Sequence, residues 1–336
     1  MTHRPYDPPA WARNPHVNTI VASFARRGQN LKTWPERLEL PDGDFVDLAW
    51  TCPASKRGDR PIVVVFHGLE GNLESGYVRD MLGAIHNAGW TGVLMHFRGC
   101  SGVLNRKLRL YHSGETEDPR FLVKTLAQRH PNVPLAAIGY SLGGNMLSKL
   151  MGEEGEDALL CAAVVVSAPL RLQVCAEFMR EGFAKLYQWY LLQPLKARYK
   201  AWIKDGRMSG WPQALTKGQL NAIESIFEFD ERVTAPLHGF DGAVDYYTRS
   251  SGCQYLHKIA RPTLIIHAKD DPFMTPEILP TPAEMSKHVE LEASEHGGHV
   301  GFLQGSPLKC SFWLAERVPT WLRPHIEAQG ASTPSN

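Results

Sequence analysis

From residue 37 the chain alternates apolar and polar positions in RLEL, breaks at PDGD, and continues in FVDLAW. An Asp-Gly pair between two such runs predicts a β-hairpin. After residue 60 the pattern changes to unbroken apolar runs: PIVVVFHG, GVLMHF, PLAAIGY and CAAVVVS. Runs without polar alternation are strands buried on both faces, as in a parallel sheet. Between them lie helix-period stretches over 77–88, near 115–129 and from Leu142. This alternation predicts βαβ units wound on both sides of one sheet. The rhythm stops after Pro169. Residues 170–256 hold helix formers and aromatics but no buried strand run, and Phe183, Leu186, Tyr187, Tyr190 and Leu191 fall on one helical face. It returns with RPTLIIHAKDD, HVELEA and a closing helix near 308–328. The expected layout is therefore an α/β core made of 37–169 and 257–328. A helical cap, 170–256, is inserted between two central strands, over the carboxyl edge of the sheet. Residues 1–36 pack on core or cap, and 329–336 (QGASTPSN) form a disordered tail. Val17, Ile20, Val21 and Phe24 make an apolar stripe ahead of Arg26 and Arg27. It is shorter than most membrane-surface anchors and reads as a packing face.

Composition narrows the function classes. Among 336 residues, 36 Lys and Arg balance 35 Asp and Glu, for a net charge of +1, which argues against a nucleic-acid binder living on phosphate contacts. With 43% hydrophobic and 21% charged residues the chain can bury a core, unlike a disordered one. Six cysteines at 52, 100, 161, 175, 253 and 310 show no CxxC spacing, so neither a zinc module nor a disulfide scaffold is expected. They read as reduced thiols of a cytoplasmic protein. The N-terminus lacks the apolar core of a secretory signal. The longest apolar stretch, 158–168, falls well short of the roughly 20 residues of a membrane span, so no transmembrane segment is expected.

Candidate chemistry lies at the predicted strand ends. Gly139-Tyr140-Ser141-Leu142-Gly143 is a GxSxG motif between a buried strand and an apolar helix, the setting of a nucleophile elbow. A serine nucleophile needs a base, and the base needs an orienting carboxylate. The strand TLIIH is followed by Asp270 and Asp271, and EHGGHVGF supplies His296 and His299. Serine, acid and histidine come in the chain order of the elbow-type hydrolases. His299, inside GGHVGF, is the better base, with His296 left to the turn. The glycines between the two histidines disfavour a helix presenting both to a metal, and no HExxH occurs, so no metal or organic cofactor is expected. An oxyanion hole needs two N–H donors. Leu142, directly after the serine, supplies one, and Leu69, in the loop His67-Gly68-Leu69-Glu70-Gly71, the other. No GK[ST] follows that loop, so it is not a phosphate cradle. Arg98, in RGCSG, reads as a structural ion pair, and YHSGETED as the capped start of a helix.

The blocks HGLEGNLESGY, MHFRGCSG, YHSGETED, GYSLGGNML, LIIHAKDDPFM and EHGGHVGF, in this order from the NPH segment near residue 14 to about residue 325, resemble the YheT-like branch of the α/β-hydrolase superfamily, also called the AB hydrolase 4 family. The resemblance implies an α/β-hydrolase fold, a mostly parallel central sheet with helices on both faces and a helical cap insertion. It also implies a Ser/Asp/His esterase and maps the triad onto Ser141, Asp271 and His299. Asp271 is the fifth residue of the strand-ending stretch His267-Ala268-Lys269-Asp270-Asp271, where the superfamily commonly carries its acid. Its position before Pro272 favours an extended backbone, which suits a fixed carboxylate. The expected activity is hydrolysis of short- to medium-chain acyl esters, lipid-derived ones included, through an acyl-serine intermediate. The alternatives are an acyltransferase that hands the acyl group to an alcohol and a non-catalytic ligand-binding member of the fold. The expected partner is a small-molecule ester, with no nucleic acid; the sequence does not set the oligomeric state.

Overall fold

The computed structural model describes residues 6–25 and 31–332. An eight-stranded sheet is built from β1 (Trp34–Glu39), β2 (Phe45–Trp50), β3 (Ile62–Phe66), β4 (Thr91–Met95), β5 (Leu135–Tyr140), β6 (Ala162–Val166), β7 (Thr263–Ala268) and β8 (Val289–Ser294), in the spatial order β1-β2-β4-β3-β5-β6-β7-β8. β2 runs antiparallel to both its neighbours, and all pairs from β4 to β8 are parallel. The mostly parallel sheet expected from the unbroken apolar runs is thus observed. Side chains alternate across a strand, so each run feeds two cores. On β3, Ile62, Val64 and Phe66 join one core, and Val63 and Val65 the other.

The helices are α1 (Pro15–Ala25), α2 (Gly76–Asn87), α3 (Glu117–Arg129), α4 (Leu142–Glu154), α5 (Leu172–Phe178), α6 (Ala184–Lys204), α7 (Lys217–Asn221), α8 (Ile226–Phe229), α9 (Ala235–His238), α10 (Ala243–Ser250) and α11 (Trp313–Ser332). Leu122 and Leu126 of α3 and Met146, Leu147 and Leu150 of α4 fill the first core. Val78, Leu82 and Ile85 of α2 and Leu314, Val318 and Leu322 of α11 fill the second. α5 to α10 all lie between β6 and β7 in the chain.

Four expectations change. The closing helix starts at Trp313, because residues 303–312 form a hairpin, β9 (Leu303–Ser306) with β10 (Lys309–Phe312), that turns back on itself at Pro307 and Leu308. The tail expected from Gln329 is helical as far as Ser332. The stripe at α6 faces inward only in part: Phe183, Leu186 and Tyr190 are exposed, Tyr187 packs on Phe273 and Leu191 lines a pocket, and Ala184, Gln188, Leu192, Leu195, Tyr199 and Trp202 make the buried face. The helix is apolar on two sides, and periodicity does not say which is covered. On α1, Val21 packs with Ala22 against Leu303, while Ile20 is exposed; Arg26 and Arg27 lie outside the described residues.

Arg98 is the structural ion pair expected of it. Its guanidinium, 2% exposed, meets both oxygens of Asp118 at 2.7 Å, Asp42 at 2.7 Å and Asp44 at 3.0 Å. It ties the β1–β2 turn and the start of α3 to the loop after β4. Arg98→Ala should lower the unfolding free energy by about 3–5 kcal/mol, the cost of leaving buried Asp44 and Asp118 without their shared cation. Glu327→Ala, at the exposed pair with Arg323, should cost less than about 1 kcal/mol. Urea titration of the two variants tests the contrast.

Candidate active site

Ser141 sits between β5 and α4 with φ +50° and ψ −120°. A non-glycine residue avoids this backbone unless its surroundings impose it. Here they do. A Cβ on Gly139 would lie 2.4 Å from the Gly143 carbonyl oxygen, and one on Gly143 would lie 2.5 Å from the His67 carbonyl oxygen. Only bare backbone lets strand, turn and helix come this close. The Ser141 N–H donates to the Val166 carbonyl at 2.8 Å, fixing the turn to β6. Five non-glycine residues among those described have positive φ: Glu70, Ser141, Ser167, Val300 and Phe302. All five lie in loops at the carboxyl ends of the strands, so the strain of the fold is concentrated at this edge.

Leu69 and Leu142 line one pocket together with Ser141. Among the described residues neither the Leu69 nor the Leu142 N–H has a hydrogen-bond partner. Leu142 opens α4, where the first N–H groups are unpaired by construction. The loop carrying Leu69 is braced on three sides. His67 donates from Nδ1 to the Gly68 carbonyl at 2.7 Å and accepts at Nε2 from the Phe97 N–H at 3.0 Å. The Gly68 N–H donates to the Tyr77 hydroxyl at 2.8 Å. Glu70 receives the Tyr111 hydroxyl at 2.8 Å and the Arg198 guanidinium at 2.6 Å. Arg198 belongs to α6, so this buried ion pair joins the helical insertion to the loop beside Ser141.

The two aspartates part company. Asp271 accepts the Phe273 N–H at 2.9 Å on Oδ1 and lies 2.8 Å from His299 Nδ1 through Oδ2, with its side chain fully buried. A carboxylate at Nδ1 keeps the proton there and leaves the Nε2 lone pair free. Phe273 also stacks on His299, ring centroids 4.0 Å apart, and lines the pocket that holds Ser141. Asp270 instead accepts the Gly298 N–H at 2.9 Å and meets His296 Nδ1 at 3.1 Å. It binds the start of the histidine loop to the end of β7.

Several supporting residues were not legible in the motifs. Thr19 of α1 accepts the His299 N–H at 2.9 Å on Oγ1. Asn18, fully buried, accepts the Leu303 N–H at 3.1 Å and donates to the Tyr6 hydroxyl and the Ala12 carbonyl. A Cβ on Gly301 would lie 2.3 Å from Asn18 Oδ1, so the last glycine of GGHVG is a contact surface for α1. Asn145, one turn into α4, donates to the carbonyls of Ser113 and Ser250 at 2.9 and 2.8 Å and accepts the Gly252 N–H at 2.7 Å. Its neighbour segment YHSGETED does more than start a helix. Thr116 makes no side-chain cap and bonds Glu153 instead, while Tyr111 braces Glu70. The one signal for Asn18 and Thr19 was their place beside the NPH segment.

One cluster has the composition of a metal site. Ligand atoms of His112, Glu115 and His238 lie within 4.8 Å of one another. The set fits a cation poorly. The Gly114 N–H donates to His112 Nδ1 at 3.1 Å, which puts the proton of the neutral ring on Nε2, and Arg109 occupies Glu115 at 2.6 Å.

Comparison with known proteins gives a consistent picture. Residues 61–306 match the family described as the alpha/beta hydrolase fold. The chain is 46% identical to the Escherichia coli protein named "Putative esterase YheT", over 94% of this chain and 92% of that protein. It is 27% identical to mouse Phospholipase ABHD3, over 91% of this chain and 75% of that one. Among solved structures, the Pyrococcus furiosus esterase Pf2001 superposes with a TM-score of 0.55 at 15% identity, covering 96% of this chain and 99% of that one; this likeness concerns the fold alone.

Burial sets a pH dependence. It pushes the His67 imidazole down to about 3 and His238 and His267 to about 4. These rings stay neutral when folded but gain a proton near pH 6.5 when unfolded. The unfolded state therefore binds more protons below that value, and stability falls as the pH drops. Each ring should cost roughly 0.8 kcal/mol between pH 7.5 and pH 6. Asp230, raised to about 6 by burial, gains its proton in the folded state and opposes this by a smaller amount. The urea midpoint should be clearly lower at pH 6 than at pH 7.5, and His67→Phe should flatten the dependence.

Proposed function

The chain belongs to the α/β-hydrolase fold family, and from that premise we propose that it is a serine hydrolase that cleaves carboxylic esters through an acyl-serine intermediate. His299 Nε2 takes the proton of Ser141 as the hydroxyl attacks the ester carbonyl. Asp271 holds the imidazole in the Nδ1–H tautomer and stabilises the imidazolium that forms. The Leu69 and Leu142 N–H groups receive the oxyanion of the tetrahedral intermediate. His299 then protonates the leaving alcohol, activates a water molecule and releases the acid. None of these steps calls for a metal or organic cofactor.

The observation that carries the reading is the coincidence of four features at one edge of the sheet. Ser141 occupies a turn that is held against its own backbone preference. His299 is fixed through Nδ1 by a buried carboxylate. Leu69 and Leu142, whose N–H groups have no partner among the described residues, line the same pocket as the serine. Phe273 joins that pocket to the imidazole. A binding protein has no physical need for this combination. An ester substrate class is supported by the esterase and phospholipase names of the similar proteins. Leu172, Ala176, Met179, Leu191 and Leu195 of the insertion also line the pocket, which suits an acyl chain of short to medium length. On this reading residues 170–256 are the cap of the site.

Three variants test the assignment at matched folded fraction. Ser141→Ala should remove ester turnover by several orders of magnitude, leaving what binding and the oxyanion hole supply. Asp271→Asn should cost on the order of 10⁴ in kcat by favouring the wrong imidazole tautomer. Asp270→Asn should cost far less and act mainly on stability, since its partners are His296 and the Gly298 N–H. Turnover in Ser141→Ala equal to the parent would sink the mechanism; a dead Asp270→Asn beside an active Asp271→Asn would move the acid by one residue.

A further inference from the structure

One wall of the pocket at Ser141 is not explained by a plain acyl chain. His112, Ser113, Asp230, Thr234, Tyr246 and Tyr247 line it, and contacts join most of them into one polar strip. The Ser113 N–H donates to the Tyr246 hydroxyl at 2.9 Å, and the His112 ring lies 5.4 Å from that of Tyr246. The Tyr246 and Tyr247 rings lie 5.2 Å apart. The Tyr247 hydroxyl donates to Asp230 Oδ2 and the Thr234 hydroxyl to Asp230 Oδ1, each at 2.7 Å.

Asp230 is the unusual member. It is 8% exposed and, among the described residues, is the only carboxylate lining this pocket. Among the described residues no Lys, Arg or His forms an ion pair with it, and two neutral hydroxyls are its only side-chain donors. A carboxylate offers about four acceptor positions, so about two remain. Burying a charge without a cation is costly, and burial raises this carboxyl to about 6. Holding Thr234 and Tyr247 needs only an acceptor, which an amide would supply without desolvating a charge. The backbone adds a second sign. Asp230–Thr234 is a π-helical turn between α8 and α9, an irregularity that recurs at functional sites.

We infer that Asp230 recognises a hydrogen-bond donor, a hydroxyl or an ammonium group, carried on the acyl chain of the substrate. The inference rests on the ester-hydrolase reading for what occupies the pocket, and it makes donor-bearing acyl esters the preferred substrate class. The remaining lone pairs of the carboxylate receive the donor, while the leucine and methionine side chains of the insertion take the methylenes before it.

The test measures binding and turnover separately. Ser141→Ala protein is titrated calorimetrically with ethyl esters of six to twelve acyl carbons, each as the plain, the ω-hydroxy and the ω-amino compound. At the length that reaches Asp230, the donor-bearing ester should bind at least tenfold more tightly than the plain one. The hydroxyl and ammonium arms decide which donor the site takes. The preference should shrink in Ser141→Ala/Asp230→Asn and vanish in Ser141→Ala/Asp230→Leu, which should favour the plain ester. In the parent enzyme kcat/KM should follow the same order. Equal binding of plain and donor-bearing esters at every length overturns the inference without any Asp230 variant, as does a preference that survives Asp230→Leu. Turnover of plain esters without donor preference leaves the hydrolase and removes the subsite. Donor preference in binding without turnover in the parent leaves the subsite and removes the hydrolase.

Discussion

The strained turn at Ser141 is the constraint from which the rest of the site follows. A backbone at φ +50° and ψ −120° costs a non-glycine residue on the order of 1–3 kcal/mol and persists only where packing leaves no alternative. The packing comes from the sheet. β3, β5 and β6 are buried along their whole length, so the strand ends cannot shift to relieve the turn. Gly139 and Gly143 let α4 start almost in contact with β5 and the end of β3. One consequence is exposure of the serine at the edge of the sheet. Another is that the unpaired first N–H of α4 and the loop after β3 meet beside it.

Around this turn the loops are held by buried polar groups as well as by apolar packing. Asn145 binds the segment before α3 and the exit of the helical insertion to α4. Arg198 and Glu70 bind the insertion to the loop after β3, and Asn18 and Thr19 bind α1 to the histidine loop. Each such group is expensive if left unpaired, so each network admits one arrangement of its loops. The N-terminal helix is therefore part of the scaffold of the histidine loop, although it lies some 280 residues away in the chain.

Legibility in the sequence followed the range of the interaction. Strands such as IVVVF and AAVVV declare themselves locally, because positions buried on both faces of a sheet favour apolar residues along the whole run. The GxSxG turn is equally local. Of the aspartates, the chain points only Asp271 toward His299 and leaves Asp270 to the turn or a cation; the contact of Asp270 with His296 is not foreseen there. What stayed hidden depends on partners far away. The polar side chains of Asn18 and Thr19 look like those of any surface helix until the histidine loop is laid on them. α6 is apolar on two sides, and only the fold shows that Leu192, Leu195 and Trp202 face inward while Phe183 and Tyr190 do not. Asp230 carries no motif at all; its charge becomes notable only when the pocket closes around it with no ion pair among the described residues.

On the proposed mechanism the strained turn presents Ser141 as an activated nucleophile. The most direct measurement is intact-mass analysis of the full chain after treatment with a fluorophosphonate, followed by peptide mapping of the adduct. One phosphonyl group per chain is expected, on Ser141, with labelling slowed by a competing ester. No adduct under conditions where the protein is folded, or an adduct on another residue with Ser141 unmodified, would contradict it.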